Sequence, residues 1–215
     1  MSRFASVEIH IFDCDGVILD SNGIKGEVFH DVARMISPAH ADDLLAFHRE
    51  HGGLNRRRKF EHFFNEILGR GPTPEEFARA LDLFRELNLK KMKAATLIPG
   101  VEDYLTSLPP RSRKFVVSAG DHDDLVEILN EKGLLIHFES VWGGPEQKID
   151  IIDRLQLRGP AVFYGDSEVD YKTAAHFGFD FVFVSGHCSW TDWERRLAGL
   201  AVTVVADFRD LASHR

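Results

Sequence analysis

With 215 residues, 44% of them hydrophobic and seventeen of them Phe, the chain can fill a sizeable core but is short for two full domains, so one core carrying one insertion is expected. A formal charge of −8 excludes a general nucleic-acid binder, which presents net basic surface, while leaving room for a local phosphate site. The two cysteines lack metal-type spacing, and MSRFASVEIHIF holds no long apolar segment before its first charges, so neither a signal peptide nor a membrane span is expected and a reduced cytoplasm fits.

The first element is a strand. Val7, Ile9, Ile11 and Phe12 supply alternating and then continuous apolar residues, as a strand in mid-sheet requires. It runs straight into Asp13, Cys14 and Asp15. Carboxylates just past a buried strand need a cation, because burying an unpaired charge is very costly. Side chains alternate along extended chain, so Asp13 and Asp15 face one way, while Cys14 faces the other as a small packing residue. Gly16 then permits a sharp turn.

From Ser21 the pattern is helical. Ile24, Val28, Phe29, Val32, Ala33 and Ile36 recur at helical spacing up to Ser37-Pro38, and Leu44, Leu45 and Phe47 mark a second helix closed by Gly52-Gly53. Phe60, Phe63, Phe64, Ile67 and Leu68 share a face of a third, ended by Gly69-Arg70-Gly71-Pro72. Thr73-Pro74-Glu75-Glu76 is a capping box with Pro at the first helical position, opening a fourth helix through Phe77, Leu81, Phe84 and Leu87. The basic run Arg56 to Lys59 reads first as a solvated helix face, and His48 and His51, without further ligands, as surface or packing residues.

After Pro99-Gly100 and a short helix through Val101, Tyr104, Leu105 and Leu108, strands and helices alternate. Strands are expected at 114–118, 139–142, 161–165, 181–184 and 202–205, and helices at 122–132, 147–157, 168–177 and 191–198 with a last helical turn. Thr191 to Glu194 is expected to cap the helix at 191–198, with Trp190 and Trp193 covering the sheet edge. The alternation predicts an α/β fold, a doubly wound parallel sheet with helices on both faces and ligands beyond the carboxyl ends of the strands. Asp13, Ser118 and Asp166 all fall at such ends.

Asp13-Cys14-Asp15-Gly16 after its strand resembles the DxDG first motif of the haloacid dehalogenase superfamily of phosphohydrolases, and three further motifs follow in that family's order. Phe115 to Gly120 is similar to the second, a strand ending in Ser or Thr. Lys148, in Gly144-Pro145-Glu146-Gln147-Lys148, resembles the third, and Val162 to Asp170 resembles the fourth, a strand followed by GDxxxD. Each alone has an ordinary explanation as a strand-end acid, a helix cap or a solvated lysine; the ordered set does not. The resemblance implies a haloacid dehalogenase-like, Rossmannoid core over residues 1–20 and 97–215, with a helical cap inserted over 21–96. It points to the branch of phosphoglycolate phosphatases and β-phosphoglucomutases.

By the same resemblance, Asp13 is the nucleophile and Asp15 the general acid and base, with Mg²⁺ held by Asp13, Asp15 through its main-chain carbonyl, and Asp166. Asp170 is expected behind the metal waters or Lys148, while Ser118, the amide of Ala119 and Lys148 take the phosphoryl oxygens. The implied partner is a small phosphorylated metabolite such as a sugar phosphate or phosphoglycolate, with no role for nucleic acid or membrane. The dehalogenase branch departs from DxD at the Asp15 position and is disfavoured. A phosphosugar mutase and a catalytically silent binding protein are the rivals. Lys25 stands where the mutase branch has a histidine, and it suits holding an anion better than switching a proton. His51-Gly52-Gly53-Leu54-Asn55-Arg56 resembles the cap segment whose basic residue reaches the site, which makes Arg56 a further substrate-binding candidate.

Overall fold

The sheet has six strands, β1 (Ile9–Phe12), β2 (Arg113–Asp121), β3 (Ser140–Gly144), β4 (Ala161–Gly165), β5 (Asp180–Val184) and β6 (Thr203–Val205), in a computed structural model that describes Phe4 and residues 7–51, 54–188 and 190–213. All pairings are parallel and the order is β3-β2-β1-β4-β5-β6, so β1 lies inside the sheet and the chain reverses direction across it. This is the expected doubly wound α/β fold. Phe12 is in register with Val116 on one side and Tyr164 on the other. Asp13 follows that row by one residue, and Ser118 and Asp166 by two. Sheet register therefore gathers around one crevice residues as much as 153 positions apart.

Alternation along the strands sorts the core into two layers. Phe12, Val116, Tyr164 and Val182 face α5 (Val101–Ser107), α6 (His122–Glu131) and α10 (Phe208–Ser213). Ile11, Phe115, Phe163 and Phe183 face α7 (Lys148–Leu155), α8 (Glu168–Phe177) and α9 (Trp193–Leu197). Between β1 and β2 lie α1 (Asn22–Ile36), α2 (Ala41–Glu50), α3 (Arg56–His62) and α4 (Pro74–Ala94), which bury a third cluster of their own around Phe29, Phe60, Phe63, Phe64 and Phe84. The two chain crossings to this helical unit pair with each other, Asp20 N–H donating to Thr96 O and Ile98 N–H to Ile18 O.

The Thr73 capping box forms as expected, with Thr73 and Glu76 satisfying each other's backbone amides. The third helix differs from the uniform one expected. It passes into a π-helical turn at Phe63–Ile67, where Leu68 N–H donates to Phe63 O, and this wider turn lets both adjacent phenylalanines enter the core. The expected Thr191–Glu194 capping box does not form. The helix starts at Trp193 after Asp192, whose carboxylate is drawn to Arg195 and Arg196 instead, and Trp190 and Trp193 pack on Phe183, covering a sheet face rather than an edge. The glycines expected to close the second helix, Gly52 and Gly53, lie outside the described residues. Among the described residues no helix is long and apolar enough to cross a membrane.

Candidate active site

The turn after β1 builds the floor of the site. Asp13 N–H donates to Tyr164 O, carrying the sheet one residue beyond β1, and Cys14 O then accepts from the amides of Ile18 and Leu19. Cys14 points down into the core, where burial pushes its thiol well above the ordinary range, so it packs as expected. Gly16 has φ +70, and a Cβ there would stand 2.3 Å from Asp166 Oδ2 and 2.4 Å from Asn22 Nδ2. No side chain fits in that space, which is what brings the first and fourth motifs into contact.

Lys148, the first residue of α7, is buried and donates to Asp13 Oδ2 at 2.8 Å and Asp170 Oδ1 at 2.5 Å. Burial alone would discharge it, but the two flanking carboxylates outweigh that and hold the ammonium above its ordinary value. Asp170 is occupied at both oxygens, since Oδ2 accepts from Ser167 Oγ at 2.6 Å and from the amides of Asp166 and Ser167. It is at once the N-terminal brace of α8 and the positioner of Lys148. Gly165 makes room for this, because a Cβ there would lie 2.3 Å from that of Asp170.

Asp166 Oδ2 accepts from Asn22 Nδ2 at 2.6 Å, and Asn22 also donates to His187 O. Asp13, Asp166 and Asp170 each place an oxygen within 4.8 Å of the others. Burial, and then Asp13 and Asp170, push Asp166 well above the carboxylate range; burial pushes Asp13 up to about 6 against the pull of Lys148. Asp15 turns away from this trio. Ser21 Oγ donates to its Oδ1 at 2.6 Å and Lys25 pairs with its Oδ2. Burial raises Asp15, but Lys25 and Ser21 outweigh it and hold the carboxyl below its ordinary value, and the same pairing keeps Lys25 charged.

Ionised together, the four carboxyls Asp13, Asp15, Asp166 and Asp170 would carry two more charges than the lysines Lys25 and Lys148 balance, so the ionised cluster calls for a cation. All the donors are hard oxygens. The site therefore fits a hard divalent cation such as Mg²⁺ in both charge and donor type.

Above the acids lies a cavity walled by the helical unit, with about 70 Å³ of free space, lined by Ser118 and Ala119 below and by Phe29, His48, Lys59 and Asn88 above. For scale, an apolar cavity of roughly 150 Å³ binds one benzene. Arg56 also lines it, but its guanidinium is held by Asp121 Oδ2 at 2.8 Å and Asp124 Oδ2 at 2.7 Å, and Arg85 Nε meets the other Asp124 oxygen at 2.7 Å. Of the expected residues, the structure brings Asp13, Asp15, Asp166, Asp170, Lys148, Ser118, Ala119 and Lys25 together, and it places Arg56 at the rim, bound across to the sheet unit. Residues not anticipated from the sequence are Asn22, Lys59, Asn88, Asp121 and Asp124. For Lys59 a signal existed: it lies three positions after Arg56 and so shares its helix face.

A family described as haloacid dehalogenase-like hydrolase matches residues 7–178. Among solved structures, the chain is similar to a haloacid dehalogenase-like family hydrolase from Streptococcus pneumoniae, at 17% identity and a TM-score of 0.73 over 98% of this chain and 99% of that one. It is similar to CbbY from Rhodobacter sphaeroides in complex with phosphate, at 19% and 0.73 over 95% and 96%. It is also similar to β-phosphoglucomutase from Clostridium difficile, at 16% and 0.71 over 95% and 93%. At these identities the likeness is one of fold. No curated protein matches the chain.

Proposed function

The chain belongs to the haloacid dehalogenase-like hydrolase family, and from that premise we propose that it is a Mg²⁺-dependent phosphomonoesterase acting on a small phosphorylated metabolite. The observation that carries this reading is the pair Asp13 and Asp15 at the end of β1, with Asp13 braced by Lys148 and Asp15 held apart from the other acids.

An Asp13 oxygen attacks phosphorus, the bond from phosphorus to the leaving oxygen breaks, and the protonated Asp15 carboxyl supplies that oxygen's proton. Water then attacks the aspartyl-phosphate, Asp15 takes the proton, and the acyl phosphate bond breaks to release phosphate and restore Asp13. Ser118 Oγ–H and the Ala119 amide bind phosphoryl oxygens, while Lys148 keeps Asp13 ionised and aimed. The Asp13 and Asp166 carboxylates and the Asp15 main-chain carbonyl would hold Mg²⁺, which would supply positive charge to offset the acid cluster as the phosphate dianion approaches. Asp15 donates only when protonated, so the Lys25 ammonium must shift from it toward the substrate phosphate in the loaded site.

Residues 21–96 act as the cap. Arg56 and Arg85 grip Asp124 across the site, so substrate admission involves this unit lifting about the paired crossings at 18–20 and 96–98. The mutase reading has a relative of the same fold in its favour, but Lys25 stays charged at neutral pH and times no proton. The test is hydrolysis of an aryl phosphate with and without Mg²⁺. Asp13→Asn or chelation is expected to remove several powers of ten of rate, and near-normal turnover by Asp13→Asn would refute the mechanism. Exchange of sugar 1- and 6-phosphates faster than phosphate release, followed by ³¹P NMR, would replace phosphatase by mutase.

A further inference from the structure

Lys59 is a buried cation that the mechanism leaves unused. It is 2% exposed, yet no carboxylate among the described residues pairs with it. Among the described residues its Nζ meets only the Nδ1 of His48, at 2.7 Å, and stands over the Phe29 ring at 5.2 Å from the centroid. His48 offers no compensating charge, since burial and the neighbouring ammonium push its imidazole down to about 3. Asn88, on α4 and 5% exposed, buries its Oδ1 with no hydrogen-bond partner among the described residues. Buried charges are ordinarily paired, and a buried polar atom without a partner calls for an explanation. Both residues line the same cavity, whose floor is Asp13 and Asp15, and both come from the helical unit rather than the sheet.

We propose that Lys59 and Asn88 form a subsite for the leaving group of the phosphomonoester, Lys59 taking a carboxylate on that group and Asn88 Oδ1 accepting from a hydroxyl on it. The inference rests on the phosphomonoesterase reading and narrows it to phosphorylated hydroxy acids. A second phosphoryl group suits the site less well than a carboxylate. Its two charges would meet a single ammonium, because the other cations on this cavity are engaged in the loaded site, Lys25 with the transferring phosphate and Arg56 with Asp121 and Asp124. The bare amide oxygen of Asn88 would repel it further. The cavity also limits the leaving group to a short one.

The experiment compares matched phosphomonoesters that differ only by carboxylate against hydroxymethyl: 3-phosphoglycerate with glycerol 3-phosphate, and 2-phosphoglycolate with 2-hydroxyethyl phosphate. The wild type is expected to favour the acid in kcat/KM by roughly 10- to 100-fold, the range for a charge-assisted hydrogen bond in a dry site. Lys59→Met is expected to bring each pair near parity, and Lys59→Arg to retain part of the preference, with circular dichroism verifying the fold of both. Calorimetry on metal-free protein supplies a readout independent of turnover, glycerate binding more tightly than glycerol in the wild type but not in Lys59→Met. Parity in the wild type, or a preference that survives Lys59→Met, overturns the subsite while leaving the phosphomonoesterase reading intact. Faster turnover of 1,3-propanediol bisphosphate than of either acid overturns the commitment to a carboxylate. If no monoester is hydrolysed but glycerate binding still depends on Lys59, the subsite stands and the phosphomonoesterase reading falls.

Discussion

Replacing Lys59 by methionine should make the protein more stable. Burial pushes the Lys59 ammonium down to about 7 from an ordinary 10.5. At about 1.4 kcal/mol for each tenfold change, that displacement stands for roughly 5 kcal/mol against the charged form in the folded chain. Methionine has similar length, fits beside Phe29 and carries no charge. The loss of the hydrogen bond to His48 opposes the gain by roughly 1–3 kcal/mol, so a net stabilisation of at least about 2 kcal/mol is expected. For a chain of this size that raises Tm by roughly 4–8 °C.

The pH dependence gives a second signature. Between about pH 7 and 10.5 the unfolded lysine keeps its proton while the folded one has lost it. Wild-type stability therefore rises with pH across that window relative to Lys59→Met, and the gap between the two narrows. Differential scanning calorimetry at pH 7 and pH 9.5 measures both effects. A lower Tm for Lys59→Met at pH 7, or a gap that does not change with pH, would refute the picture of a desolvated, uncompensated ammonium.

Asp15→Asn should slow formation of the aspartyl-phosphate far more for an alkyl than for an aryl leaving group, since only the former needs a proton; equal slowing in a pre-steady-state assay would exclude the acid role. Gly16→Ala should lose most activity and roughly 1–2 kcal/mol of stability by urea unfolding, because it forces a Cβ to 2.3 Å from Asp166 Oδ2 at a positive φ. At acid pH the two buried histidines should weaken the protein, against the opposing proton uptake of Asp13 and Asp166, whose carboxyls burial pushes up. Burial pushes His10 down to about 4 and His48 to about 3, and the unfolded chain takes up those protons below pH 6.5. Each histidine then removes roughly 1.5 kcal/mol between pH 6.5 and 5, and His10→Gln should flatten that slope in urea titrations.

The sequence by itself placed Asp13, Ser118 and Asp166 at the ends of strands and Lys148 at a helix start. Alternation and helical spacing are local, and covalent order then leaves few ways to stack alternating strands and helices. It also marked 21–96 as helical and set the start of α4, because Thr73 and Glu76 satisfy each other within one turn. It did not decide which residues of the basic run Arg56 to Lys59 turn inward. In the fold Arg56 and Lys59 line the cavity and Arg57 and Arg58 are exposed. Nor did it pair Asn22 with Asp166, 144 positions away, or Arg56 with Asp124, 68 away. The Thr191 box had the right letters and failed, because Trp190 and Trp193 are seated on Phe183 and the nearby arginines claim Asp192. Local pattern sets which face of an element is apolar, but whether a polar side chain is buried, paired or left without a partner depends on surfaces contributed by distant segments, and only the packed tertiary structure brings those surfaces together.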